Sequence, residues 1–167
     1  MYRDGVGGPS LVEKCMSYEV KVIVETIQEL IPNYQPRIMY ALIDKLSGHR
    51  LFMKSNGDVS NPVAGTVVDS SLVENQGDKE FDFYMVPHRA TVATAMPVHF
   101  SVVYNTFDLP KREIETFTYH LCYGYFNWVG PIKVPAACMY AKKIAEFSHD
   151  NGVEQIHPDL LCSIHYI

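Results

Sequence analysis

Residues 1–10 read "MYRDGVGGPS", which places the charged pair Arg3-Asp4 between Tyr2 and a glycine-rich stretch. The segment reads as the end of a buried strand. Asp4 falls where the strand stops, and Gly5, Gly7 and Gly8 carry the chain away from it. Two readings of Asp4 follow. A carboxylate at the carboxyl end of a strand, beside a glycine turn, is a place for metal chemistry. Asp and Gly also make ordinary turns for purely local reasons.

Outward from this stretch, Gly8-Pro9 opens a helix, because proline fits the first helical position. Leu11, Cys15, Val22, Ile27 and Leu30 recur at roughly helical spacing, and Pro32 ends the run. "RIMYALI" (37–43) is nearly continuous apolar sequence, as expected of a strand buried on both faces. "RLFMK" (50–54), "GTVVD" (65–69), "FDFYMVPH" (81–88) and "HFSVVYN" (99–105) are further short strands, separated by Gly, Asn and Pro. Pro110 opens a helix whose Ile114, Phe117, Leu121 and Tyr125 share a face. Pro135 opens another, with Ala137, Tyr140, Ala141 and Ile144 inward and Asn151-Gly152 as its stop. Helix, several strands, then two helices is an α/β pattern with a mixed sheet.

With 167 residues, 47% hydrophobic and 20% charged, the chain fits one soluble globular domain without linker or repeat. It has no apolar run that spans a bilayer and no secretory leader pattern, which points to an intracellular protein without a membrane role. Cys15, Cys122, Cys138 and Cys162 lie far apart without zinc-ligand spacing and read as reduced, buried thiols. A net charge of -5 argues against a strongly basic, free-standing nucleic-acid binder. The charge is uneven, however. Glu74, Asp78, Glu80 and Asp82 cluster in mid-chain, whereas Lys133, Lys142 and Lys143 fall together later and leave room for a local anion site.

"YRDGVG", "GTVVD", "FDFYMVPH", "FTYHLCYGYFNW", "VPAACMYAKK" and the closing "IHYI" stand in the order and spacing of a Piwi domain. The chain resembles the carboxyl-terminal part of the Piwi domain of an Argonaute/Piwi protein over residues 1–167. "NWVGPIKVPA" and Cys138-Met139-Tyr140 resemble the Piwi branch more than the Argonaute branch. The Argonaute branch also tends to carry an arginine at the position of Phe147. The resemblance implies a ribonuclease H-like α/β fold that holds a small guide RNA and, in some members, cuts the paired target. In such sites acidic groups surround two divalent cations, Mg2+ or Mn2+. Asp4 matches the aspartate of the family's R-D-G motif and would be its metal ligand. The family's other catalytic aspartate and its glutamate belong to an upstream half that this sequence does not contain. Asp69 and Asp82 have no catalytic role in the family motif.

Lys142 occupies the position of the family's catalytic histidine, as lysine does in part of the Piwi branch. An ammonium has no lone pair for a metal, but it can protonate a leaving oxygen or hold a phosphate. Helical geometry places the small residues Cys138 and Ala145 on its face and turns Lys143 about 100° away toward solvent. A snorkelling surface lysine is the alternative. Lys45, His99, Tyr125 and Lys133 match positions where the family touches the guide backbone. Each also has a plainer reading. Lys45 can cap a solvated strand end, and His99 can be a satisfied strand histidine. Tyr125 can be core, and Lys133 can be a link residue beside Gly130-Pro131. The resemblance further implies that the terminal carboxylate, here that of Ile167, helps a metal grip the guide's 5′ phosphate, where a free tail is the alternative.

The expected function is therefore a guide-RNA-binding segment of a piRNA-type silencing protein, partnered by guide RNA and target RNA and by silencing proteins, with no DNA. One rival is a slicing endoribonuclease completed by the upstream acids. The other is a protein-interaction fragment that binds no RNA.

Overall fold

The computed structural model describes residues 1–5, 9–74, 77, 79–152 and 155–166. Gly7, Gly8, Asp78 and Ile167, with the side chain of Leu11, lie outside the described residues.

β2 (Met39–Asp44) is the apolar run read from the sequence, and it is the strand on which both faces of the sheet are built. It pairs in parallel with β1 (Tyr2–Asp4) and antiparallel with β7 (Val98–Asn105). β6 (Phe81–Val86) and β5 (Thr66–Val68) extend the sheet beyond β7, in the order β1-β2-β7-β6-β5. One parallel and three antiparallel pairings make it mixed, as expected. The expected strand "RLFMK" is shorter, and it pairs elsewhere. β3 (Met53–Ser55) forms an exposed hairpin with β4 (Asp58–Ser60), separate from the main sheet.

Alternation along the strands divides the core into two. Met39, Ala41 and Ile43 of β2 face one side, with Phe81, Phe83 and Met85 of β6 and Val98, Phe100 and Val102 of β7. Tyr40 and Leu42 face the other, with Cys15, Val20 and Val103. Helices cover both layers. On the second face lies a helical run of α1 (Pro9–Lys14), a π-helical segment (Cys15–Val20) and α2 (Lys21–Leu30). On the first face lie α3 (Lys111–Leu121) and α4 (Ala136–Asn151).

Three expectations of facing are corrected. The π segment widens the turn and rotates everything after it. Val12, Cys15, Met16, Val20, Ile23 and Val24 therefore pack inward, while Val22 and Leu30 point to solvent. α3 ends at Leu121, so Tyr125 lies in the link that follows. The buried positions of α3 are Ile114, Glu115 and Thr118, and Phe117 is exposed. In α4, Ala137 and Ala141 are exposed, and Ala136 is the buried residue. Its stop is as expected, with Gly152 in the left-handed region at φ 61°. Cys15 and Cys122 are buried thiols, but Cys162 is exposed. No helix among the described residues is long and apolar enough to cross a membrane.

Glu115 is an unexpected member of the core. It is 6% exposed, and its Oε1 has no hydrogen-bond partner. Burial and then the nearby Asp69 raise its carboxyl above the usual range, opposed by Lys111 and Arg112. The folded state therefore holds this proton more tightly than the unfolded chain does. The resulting stability is present below about pH 4.3 and is lost as pH rises through the raised value. Glu115→Gln should raise the urea midpoint near neutral pH and lose that advantage in acid, measured by denaturation at both pH values.

Candidate nucleic-acid interface

Arg3 and Asp4 are neighbours that serve opposite faces of one strand. Tyr2 and Asp4 face α3 and α4, and the Tyr2 hydroxyl lies 2.8 Å from Thr118 Oγ1. Arg3 faces the π segment, where its Nε donates to Glu19 Oε2 at 3.2 Å. Glu19 also accepts from the Tyr40 hydroxyl. The question raised by a charged pair at a strand end thus has a structural answer: each charge has its own layer.

The register Asp4↔Ile43, Asp44↔His99 and Met85↔Val98 gathers the ends of β1, β2 and β6 and the start of β7 at one end of the sheet. Lys45, the first residue after β2, donates to Asp4 Oδ2 at 2.6 Å. Asp4 Oδ1 is buried without a hydrogen-bond partner. Tyr2, Arg3, Asp4, Gly5, Lys45, Cys138, Ala141 and Lys142 line a cleft of about 420 Å³ here. Gly5 turns the chain out of it at φ 82°, a conformation that favours glycine. Lys133 adjoins the cleft, its Nζ donating to the Lys45 carbonyl at 3.0 Å. Burial and then the cations Lys45 and Arg50 lower the Lys133 pKa, while Asp44 opposes them.

The structure thus brings Asp4, Lys45, Lys133 and Lys142 together. Lys142 is more exposed than expected, and its Nζ rests 3.4 Å from Glu146 one turn away. Lys143, expected in solvent, is the less exposed of the two lysines and approaches the same glutamate at 3.9 Å. His99 stands at this end of the sheet but on the opposite face, its Nε2 3.2 Å from Asp82 Oδ2 and its ring stacked on Tyr84. Burial alone would raise the Asp82 carboxyl. Hydrogen bonds from His99 and Ser101 overcome that and hold it below its usual range. Tyr125 lies away from the cleft against Tyr140, ring centroids 5.4 Å apart. The Ile167 position falls outside the described residues.

A divalent cation needs several oxygen ligands. Asp4 offers one free oxygen, and the side chains beside it are ammonium groups and a thiol. No group of three or more His, Cys, Asp or Glu that could hold a metal ion occurs among the described residues. The cleft's own donors therefore do not fit a metal. What they fit is an anion, because ammonium groups outnumber carboxylates.

Sequence reading did not foresee that Lys45 would be Asp4's partner, nor the part played by Cys138. Burial and then Asp4 push the Cys138 thiol up to about 11, with Lys45 opposing. Alkylation follows the thiolate fraction. At mildly alkaline pH, Asp4→Asn should speed labelling of Cys138 and Lys45→Met should slow it, with exposed Cys162 as internal reference. Peptide mass spectrometry over time reads both rates, and equal rates in the two variants would contradict the charge coupling drawn here.

The profile of the Piwi domain matches residues 1–152. Piwi-like protein 1 of Gallus gallus is 36% identical over 145 residues, covering 87% of this chain and 16% of its own length. Protein piwi of Drosophila melanogaster is 34% identical over 147 residues, covering 86% of this chain and 16% of its own. The chain thus spans about a sixth of the length of these curated relatives. The crystal structure of Drosophila Piwi superposes with a TM-score of 0.83 at 30% identity, over 99% of this chain and 22% of that one. Kluyveromyces polysporus Argonaute with a guide RNA superposes with a TM-score of 0.78, over 99% of this chain and 23% of that one. Its 22% identity speaks for the fold alone.

Proposed function

The chain belongs to the Piwi domain family, in its Piwi branch and with its ribonuclease H-like α/β fold, and on that premise we propose that it holds a small guide RNA by the backbone. The observation that carries this reading is the cleft's excess of ammonium over carboxylate in a chain whose net charge is -5. Lys45 has two tasks in it. It neutralises Asp4 and, only partly buried, keeps N–H groups toward the cleft. Lys133 holds a phosphate beside it, and Lys142 meets a second anion across the opening. Such contacts fix the register of a strand without reading its sequence, so the target is chosen by pairing to the guide. His99 supports this end of the sheet through Asp82, and Tyr125 meets the guide only where the strand passes the link.

Cleavage of the target is a further step. It becomes chemistry of this cleft only when carboxylates beyond the described residues join Asp4 around Mg2+ or Mn2+. The residues present would then supply one ligand, Asp4, and one proton donor or phosphate clamp, Lys142.

Binding of fluorescein-labelled single-stranded RNA should weaken with salt as counterions are released. Lys133→Met and Lys142→Met should each make the log–log slope shallower by about 0.7, and Lys54→Met on the outer hairpin should leave it unchanged. Identical slopes in all three variants would remove the cleft from the binding surface. With Mg2+ or Mn2+ added, the 167-residue chain should leave a guide-paired target intact. Cutting at a single position, lost in Asp4→Ala, would overturn that expectation.

A further inference from the structure

Beyond Lys133, away from Asp4, lies a second cavity of about 390 Å³. One wall is the loop that follows β6, and the other is Trp128, the chain's single tryptophan. Trp128 is 62% exposed in the link between α3 and α4, and no other aromatic ring among the described residues packs on it. The link is nonetheless fixed. Ile132 N–H donates to the Cys122 carbonyl at 2.8 Å, and Trp128 N–H to the Tyr125 carbonyl at 3.3 Å. These bonds hold the backbone that carries the indole, and an aromatic face exposed to solvent gains from a stacking partner.

The facing loop is equally fixed. Its wall mixes small residues, Ala90 and Thr94 among them, with the larger His88, Arg89 and Met96. Ala93 adopts φ 65°, a left-handed conformation unfavourable for alanine. One side chain holds that shape. Asn61 Nδ2 donates to the Ala93 carbonyl at 2.8 Å and to the Ala90 carbonyl at 3.3 Å, and its Oδ1 accepts from Ala95 N–H at 2.9 Å. The result is a slot with mixed polar and apolar walls, open to solvent, and roomy enough for one nucleotide. Lys133 lines it and also donates to the carbonyl of Lys45, a residue of the Asp4 cleft, so the slot and the cleft adjoin at this lysine.

We propose that this slot takes one unstacked base of an RNA strand, with the base lying on the Trp128 indole and the adjoining phosphate held by Lys133. The inference rests on the RNA-binding reading above and adds to it a place where a base leaves the stack. Base–aromatic stacking tolerates any base, because each has a π-face. The cations Lys133 and Arg89 at the slot favour a nucleotide over an apolar peptide, although Val92, which also lines it, is exposed.

Because Trp128 is the single tryptophan, its emission reports this slot alone. Adenosine 5′-monophosphate should quench it saturably. Ribose 5-phosphate and inorganic phosphate, which lack the base, should not. Trp128→Leu should weaken binding of a labelled single-stranded RNA about tenfold, and Trp128→Phe should restore most of it. Asn61→Asp, which keeps the acceptor and loses the donors, should loosen the loop and weaken the adenosine monophosphate response without touching the ligand.

Non-saturating quenching that is equal for adenosine and ribose phosphates overturns the proposal. So does RNA affinity unchanged in Trp128→Leu. If an apolar peptide quenches and adenosine monophosphate does not, the slot is a protein groove and the proposal falls. The two readings separate cleanly. RNA binding that needs Lys142 but not Trp128 keeps the function and removes the slot. Saturable quenching by the nucleotide in a chain that binds no RNA strand does the reverse.

Discussion

The parallel register of β1 on β2 is the constraint on which the site depends. Tyr2 lies opposite Ala41, Arg3 opposite Leu42 and Asp4 opposite Ile43. A slip of one residue would turn every side chain of β1 to the other face. Arg3 would then enter the layer of α3 and α4, where burying a cation without a partner is costly. Asp4 would leave Lys45 and approach Glu19, a like charge. Three contacts from three residues therefore hold a strand of only three residues in one register: Tyr2 to Thr118, Arg3 to Glu19 and Asp4 to Lys45. The charges that present the site are also the charges that align its strand.

The π segment belongs to the same arrangement. Glu19 lies within it and gathers Arg3, the Tyr40 hydroxyl and, at 3.7 Å, the Cys15 thiol. Burial, then the bond to Glu19, raises the Tyr40 hydroxyl well above its usual range, so the tyrosine is a neutral donor at any ordinary pH. Glu19 is kept ionised by these donors, with Tyr40 the largest influence. A wider turn at this place sets Glu19 over the start of the sheet while Cys15 and Val20 remain in the core. The same turn explains why an expectation of uniform helical spacing set Val22 and Leu30 inward. No residue in "CMSYEV" marks the extra step.

What was legible followed the strength of local patterns. β2 and β6 are buried on both faces and β7 on one face throughout most of its length, and all three are rich in apolar residues, so their existence and the mixed sheet were readable. α3 and α4 were readable through Pro110, Pro135 and Gly152, whose backbone preferences act locally. Their inward faces were not. α4 buries little beyond Ala136, so its alanines carry no directional signal. The motif around Asp4 pointed to the strand end that borders the cleft, but the pairing with Lys45 depends on residues 41 positions apart meeting at strand ends. The slot at Trp128 was hidden for the opposite reason. An exposed tryptophan in an irregular link has no periodicity to belong to, and the Asn61 side chain that shapes the facing loop comes from a distant segment.

Lys142 is the loosely held cation of the Asp4 cleft. Its resting partner is Glu146, four residues on and half exposed, a pairing worth about 0.3–0.5 kcal/mol. Its stem lines the Asp4 cleft in the same structure. Release from Glu146 therefore costs little, and Lys143 remains nearby to neutralise the glutamate it leaves. An anion entering the cleft competes for Lys142 against that one weak, solvent-screened pair. Asp4 is a poorer competitor, since Lys45 already satisfies one of its oxygens at 2.6 Å and the other is buried. The cleft at rest thus keeps its carboxylate neutralised by a held cation and carries a second, loosely tethered cation at its opening. In the guide-binding reading proposed above, the second would supply the electrostatic attraction for a phosphate and the first a fixed geometry.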